Sequence, residues 1–247
     1  MSAGHRGGNR ARASIRRWAI VALVTQVAFV GSWLVAALWQ GPRYSVVAHS
    51  ISDMYAIGAP RAAFLIVVIT LCGAAVVVFA ARSVWPTLRP AGWTAAAGSV
   101  LLALSIYGLG DLLTPLEREA CRQADPGCTA AVQIAGSGGL LDAVLSTAGV
   151  SFLIAAGFFL AQAMQRSPGW DGWAWPTRWV SILLFALFSA TGLAGGLGGL
   201  FERMLAAVGA AAIALLAVGI LRWSRAPVIN PGEQPPQAPA PAPRWLR

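Results

Sequence analysis

AAFLIVVITLCGAAVVVFAA, residues 62–81, carries no charged side chain. As a helix rising about 1.5 Å per residue, a stretch of this length crosses the ~30 Å hydrocarbon core of a bilayer. It is the heart of an apolar run over roughly 60–81, and five others read the same way, at roughly 18–40, 91–113, 138–163, 178–200 and 203–223. The whole chain is 57% hydrophobic and 11% charged, with a mean hydropathy of +0.66. A soluble domain carries about 25% charged residues. The connections are short, so the runs form one unit and leave no room for a separate soluble domain. The fold class read from this pattern is all-α: a polytopic transmembrane helical bundle of six spans.

The basic residues orient it. All 18 are Arg. With the N-terminus inside, the inner side holds Arg6, Arg10, Arg12, Arg16, Arg17, Arg82, Arg89, Arg166, Arg178, Arg222, Arg225, Arg244 and Arg247. The outer side keeps Arg43, Arg61, Arg118, Arg122 and Arg203. This is the positive-inside bias, and it places both termini in the cytoplasm. The net charge of +9 is therefore read as membrane-surface charge near anionic headgroups. No interleaved basic and aromatic surface of the kind that binds nucleic acid is visible. The first span is expected to be retained, since its apolar part exceeds a signal-peptide core and no small-x-small cleavage site follows. Three parts result: a basic cytoplasmic arm over 1–17, the six-helix domain over 18–225, and a Pro-rich cytoplasmic tail over 226–247. The tail composition favours disorder, and binding of a cytoplasmic partner is its other use.

Cys121 and Cys128 flank Asp125-Pro126-Gly127, a turn-forming triplet in the loop after the third span. That loop falls on the outer side, where disulfides persist, so the two are expected to pair. Cys72 lies mid-span and reads as a small apolar packing residue. In the fifth span, Gly192 with Gly196 and Gly195 with Gly199 have the four-residue spacing of close helix contacts. Such a face packs within the chain, joins a second copy in a homo-oligomer, or loosens the helix end. The many Trp near span ends, among them Trp93, Trp170, Trp175 and Trp179, read as interface anchors.

The candidate site is a set of polar residues that the topology returns to the outer edge: His49, Ser52, Asp53, Asp111, Asp142, Glu202 and Arg203. Ionisable groups near hydrocarbon are costly and are kept for a site or a structural pair. Close carboxylates in low dielectric repel, so one gains a proton or a cation is recruited. Asp53 after Ser52 also reads as a helix cap, and helical spacing would set it on one face with His49. Arg203 is expected to pair with Asp53 or Asp111.

The string Tyr44…His49-Ser50-Ile51-Ser52-Asp53, followed by Gly58, Pro60 and a new span, resembles the opening signature of the domain-of-unknown-function 998 family. Gly108…Asp111…Pro115 is similar to that family's region at the end of the third span, and Gly199…Glu202-Arg203 to its turn before the last one. Family members often carry a His near the start of the fourth span; Asp142 stands there in this chain. The resemblance implies a six-span protein of the bacterial plasma membrane and no settled activity.

Three functions stay open. One is a binding protein for a lipid or partner at an outer-leaflet polar pocket. Another is an intramembrane enzyme acting on a lipid or headgroup through His49 and the carboxylates. The third is a small-solute transporter. No phosphate loop, nucleotide fingerprint, His-Glu-x-x-His pair or Gly-x-Ser-x-Gly elbow is present. With only His5 and His49, a three-histidine zinc site is excluded within one chain, whereas an oxygen-rich site for a hard cation is not. No motif names a cofactor. Mid-span polar residues are few, which ranks transport last.

Overall fold

The computed structural model describes residues 3–193 and 195–225. The Pro-rich tail, with Arg244 and Arg247, lies outside them. Among the described residues there are helices and turns and no strand. The long helices are α1 (Ala3–Ala36), α2 (Ala62–Phe79), α3 (Trp93–Leu104), α4 (Ser137–Gln165), α5 (Asp171–Leu193) and α6 (Gly198–Arg225). A π-helical turn, Ala80–Val84, and one further turn, Trp85–Leu88, prolong α2. The helix α1 reaches back to Ala3 and takes the basic arm into its first turns.

Five helices are long and apolar enough to cross a membrane. The third run differs from expectation: it breaks at Ser105, where α3 ends and the segment Ile106–Leu113 continues at 40°. Ser105 has an extended backbone, φ −64° and ψ 170°, and its hydroxyl donates to the Leu102 carbonyl at 2.8 Å. The amides of Gly108 and Gly110 both return to the Ser105 carbonyl, which closes a π-helical turn over Ile106–Gly110. Two glycines wedge this bent half between its neighbours. A Cβ on Gly149 of α4 would lie 2.6 Å from the Ile106 nitrogen, and one on Gly73 of α2 would lie 2.7 Å from the Asp111 carbonyl carbon. Neither position has room for a side chain, so the backbone of 106–112 sits in direct contact with both helices.

The helices form a ring in chain order. α1 packs on α2 and α6, α6 on α5, α5 on α4, and α4 on α3, while the Ile106–Gly110 turn closes the circuit against α2. The core is a column of apolar side chains including Phe29, Trp33, Leu65, Ile69, Val76, Phe79, Leu153 and Ile213. Fully burying one such aliphatic or aromatic side chain contributes about 1.5–3 kcal/mol. Helix association inside a bilayer rests more on close packing than on water exclusion. The exposed residues are themselves apolar: Val27, Val67, Leu71, Val144, Phe185 and Leu215 point outward. That is the surface a lipid-facing bundle requires.

Two boundaries depart from the apolar runs. α5 begins at Asp171, carrying Pro176 near its start, and stops at Leu193; α6 already begins at Gly198. Gly195, at φ +52°, and Gly196 therefore belong to the connection and not to a helix face. Among the described residues the expected close-packing stripe of Gly192, Gly195, Gly196 and Gly199 does not form; Gly199 alone makes a close approach, with a built Cβ 2.8 Å from the His49 nitrogen. Nothing lies within 4 Å of a Cβ built on the first three. Of the tryptophans, Trp93, Trp175 and Trp179 are exposed as anchors should be, but Trp170 is buried. It packs with Trp173 onto Gly219 of α6.

A candidate acid-lined cavity

Three connections meet at one end of the ring: residues 40–61, residues 114–136 and the α5–α6 turn. Backbone bonds join the first to each of the others, Ile57 N–H to the Glu119 carbonyl and Leu200 N–H to the Val47 carbonyl, both at 2.9 Å. Arg118 adds two, from Nε to the Tyr55 carbonyl and from Nη2 to the Ala56 carbonyl, each 3.0 Å. Arg122 Nη2 donates to the Gln40 carbonyl at 2.9 Å. Cys121 and Cys128 stand at disulfide distance, with Cα atoms 5.9 Å apart. The loop they pin caps Asp53, whose Oδ1 accepts the Gln123 amide. These connections are a bonded roof, not free loops.

Beneath the roof lies a cavity of about 310 Å³. Asp111 from the broken segment, Asp142 from α4 and Glu202 from α6 all border it, with Ser52 and Tyr55 above and Tyr107, Ser146 and Thr191 at the sides. Its floor is apolar, made by Phe29, Ile69, Val150, Leu153 and Phe188 among others. No Arg borders it. Thus three of the seven residues picked from sequence converge as acids, and Ser52 joins them.

The other three do not. Asp53 is fully buried under the roof, outside the cavity wall. Its own amide is capped by Ser50 Oγ at 3.0 Å, and burial raises its carboxyl pKa, with the Gln123 amide and His49 pulling the other way. His49 accepts the Ser45 amide at Nδ1, 2.9 Å, and packs beside Tyr44. The expected helical face shared by His49 and Asp53 is absent, because only Ser52–Met54 forms a short helical turn there.

Arg203 is the clearest correction. Among the described residues no carboxylate contacts it. Nη1 donates to the carbonyls of Val46 at 2.8 Å, His49 at 2.7 Å and Gly199 at 2.9 Å, and Nη2 donates to the Tyr44 hydroxyl. Burial pushes the Tyr44 phenol up to about 12, against the pull of Arg203, so it stays neutral and accepts. A planar guanidinium suits several fixed acceptors at once. It therefore clamps the first connection to α6. Among the described residues the one acid–base pair is Arg122 with Asp125, at 3.8 Å on the disulfide loop.

The acids are left short of partners. Asp111 is 8% exposed, and its Oδ2 has no hydrogen-bond partner. Asp142 receives only the Tyr55 hydroxyl, at 3.4 Å, and Glu202 Oε1 accepts the Ile51 amide at 3.0 Å. Two further acids, not singled out from sequence, extend the cluster. Glu117 is 2% exposed with an unpartnered Oε1; burial, then the Asp142 carboxylate, push it up to about 8. Glu119 binds Ser52 Oγ at 3.2 Å and Gln133 Nε2 at 3.0 Å. Burial and the carboxylates of Asp142 and Asp53 push it up to about 8 as well, with Ser52 pulling the other way. The sequence signal for both was the Glu117-Arg118-Glu119 triplet, which reads as a solvated loop until the loop is seen to fold inward.

The spacing limits the chemistry. Among the described residues no three of His, Cys, Asp and Glu are placed to hold one metal ion. Acids spread around a chamber without an ion pair suit a positive charge that is itself spread out, such as an organic ammonium, whose approach favours their ionised form. Fold and site together define a bundle of membrane-length apolar helices enclosing an acid-lined cavity. No protein-family model, curated protein or solved structure matches the chain.

Proposed function

We propose that this is a multi-pass protein of the bacterial plasma membrane, both termini cytoplasmic, that binds a small organic cation in the acid-lined cavity from the outer face. The observation that carries the reading is that Asp111, Asp142 and Glu202, from three separate elements, border one cavity with no Arg in its wall. An ammonium at 4 Å from a carboxylate gains about 4 kcal/mol at the effective dielectric near a protein surface. An anionic headgroup would meet repulsion instead. The orientation is supported by the Arg pattern, since the cavity end carries only Arg43, Arg61, Arg118, Arg122 and Arg203. The likeness of the first connection to the domain-of-unknown-function 998 family belongs to this proposal and bears on topology alone.

A second reading, carriage of the same cation across the membrane, is favoured by the break at Ser105 beside the cavity. Broken helices next to a polar site are a recurrent feature of transporters. The enzyme reading loses its histidine and keeps only the carboxylates: His49 Nδ1 holds a backbone amide and the ring lies outside the cavity wall.

The test is isothermal titration of n-butyltrimethylammonium into the full chain in zwitterionic nanodiscs. Saturable binding that falls by about 100-fold, or roughly 2.7 kcal/mol, in the Asp111→Asn, Asp142→Asn double variant supports the reading. Equal binding of n-butyl sulfate, or unchanged affinity in the double variant, contradicts it.

A further inference from the structure

The acid cavity shares part of its floor with a second cavity. Leu153 borders both, and the second encloses about 110 Å³. Its walls lie further along the same elements, away from the roof. On α5, Leu184 stands one turn beyond Phe188, and on α4, Ala156 stands almost two turns beyond Val150, while Leu102 lies on the α3 side of the break at Ser105 and Ile106 on the other. A helical turn advances about 5.4 Å, so the two cavities stack along the bundle axis. The second is lined almost wholly by apolar side chains. Its hydroxyl groups, Thr177 and Ser181, are satisfied inside α5, donating to the Trp173 carbonyl at 2.7 Å and the Thr177 carbonyl at 3.1 Å. Charge is confined to one end of the stack, and no charged side chain lines the other.

Resting on the cation-binding reading above, we propose that the ligand is a single-chain cationic amphiphile. Its ammonium lies among Asp111, Asp142 and Glu202, and its alkyl chain passes Leu153 into the second cavity. Asp111 supplies the independent sign of a ligand: a nine-tenths buried carboxyl in the cavity wall with one oxygen unpartnered.

The experiment titrates n-butyl-, n-octyl- and n-dodecyltrimethylammonium into the full chain in nanodiscs, with empty nanodiscs subtracted. Each added methylene buried in the second cavity should tighten binding about fourfold. Ala212→Trp, which fills that cavity from α6, should flatten the dependence on length while n-butyl affinity changes by less than about twofold. Val180→Trp, filling it from α5, serves the same purpose if the first variant does not fold. The matching n-alkyl sulfates should bind no better than to empty nanodiscs. Saturable n-butyl binding with no gain from chain length overturns the amphiphile and leaves the cation reading standing. A length dependence that both tryptophan variants preserve also overturns it. Absence of saturable binding by every member removes both.

Discussion

Replacing Arg203 with Met leaves the carbonyls of Val46, His49 and Gly199 and the Tyr44 hydroxyl without their shared donor. A hydrogen bond to a charged group contributes about 1.5–3 kcal/mol. Three such bonds to backbone would sum to more than about 4 kcal/mol, but the first connection is partly exposed and water recovers some of them. The expected net loss is about 3–5 kcal/mol. Arg203→Lys keeps the charge with a compact donor that cannot span all four acceptors, so it should recover only part of the loss. Denaturant titration in mixed micelles measures both. A double-mutant cycle separates the clamp from an ion pair: coupling of Arg203→Met with Tyr44→Phe should be about 1–2 kcal/mol, and with Asp111→Asn below about 0.5 kcal/mol. A loss under about 1 kcal/mol for Arg203→Met, or stronger coupling to Asp111 or Asp53 than to Tyr44, would refute the clamp.

Further outcomes follow from the roof and the wedge. Glu117 and Glu119 hold protons in the fold that the unfolded chain gives up, so stability is full below their ordinary value of 4.5 and is lost as pH rises through about 8. Glu117→Gln should flatten part of that fall and gain about 2 kcal/mol at alkaline pH, after allowance for solvent screening; thermal melts across pH with no difference from the parent would contradict this. Alkylation under denaturing conditions should modify one thiol, Cys72, before reduction and three after it; Cys121→Ser should cost about 2.5 kcal/mol by loop entropy. Gly149→Ala drives a methyl into the Ile106 backbone and should cost about 2–3 kcal/mol in the same micelle titration, whereas a neutral result would mean the break at Ser105 adjusts freely.

The membrane-length helices were legible because an uncharged, 20-residue stretch such as 62–81 reads as an apolar helix. The break in the third was not, because Ser105 is a single mild polar residue inside an apolar run. The room for the bent half comes from the absence of side chains at Gly73 and Gly149, on two other helices. Asp111, Asp142 and Glu202 could be brought together by counting spans, since topology alone fixes their depth. Which way each side chain turns depends on helix rotation, and sequence does not carry it; Asp53 turned into the roof and Arg203 toward backbone carbonyls. Carbonyl acceptors are present at every residue, so nothing in the string marks Val46, His49 and Gly199 as partners of an Arg. Glu117 and Glu119 were hidden by their neighbours, because the burial of that loop is a tertiary fact.

In the proposed function the cavity beneath the roof presents negative charge, reachable from the outer face, to its occupant. Ser146, one turn from Asp142 on α4, borders that cavity and is a position for a single reporter thiol. In a Cys72→Ala, Ser146→Cys chain, membrane-impermeant methanethiosulfonate reagents of opposite charge are applied from the outer face and their modification rates compared. A cavity lined by uncompensated carboxylates concentrates cations by about tenfold or more. The expected result is faster reaction of the cationic reagent by at least that factor, falling toward parity when Asp111 and Asp142 are changed to Asn. Equal rates for the two reagents, or faster reaction of the anion, would contradict the claim.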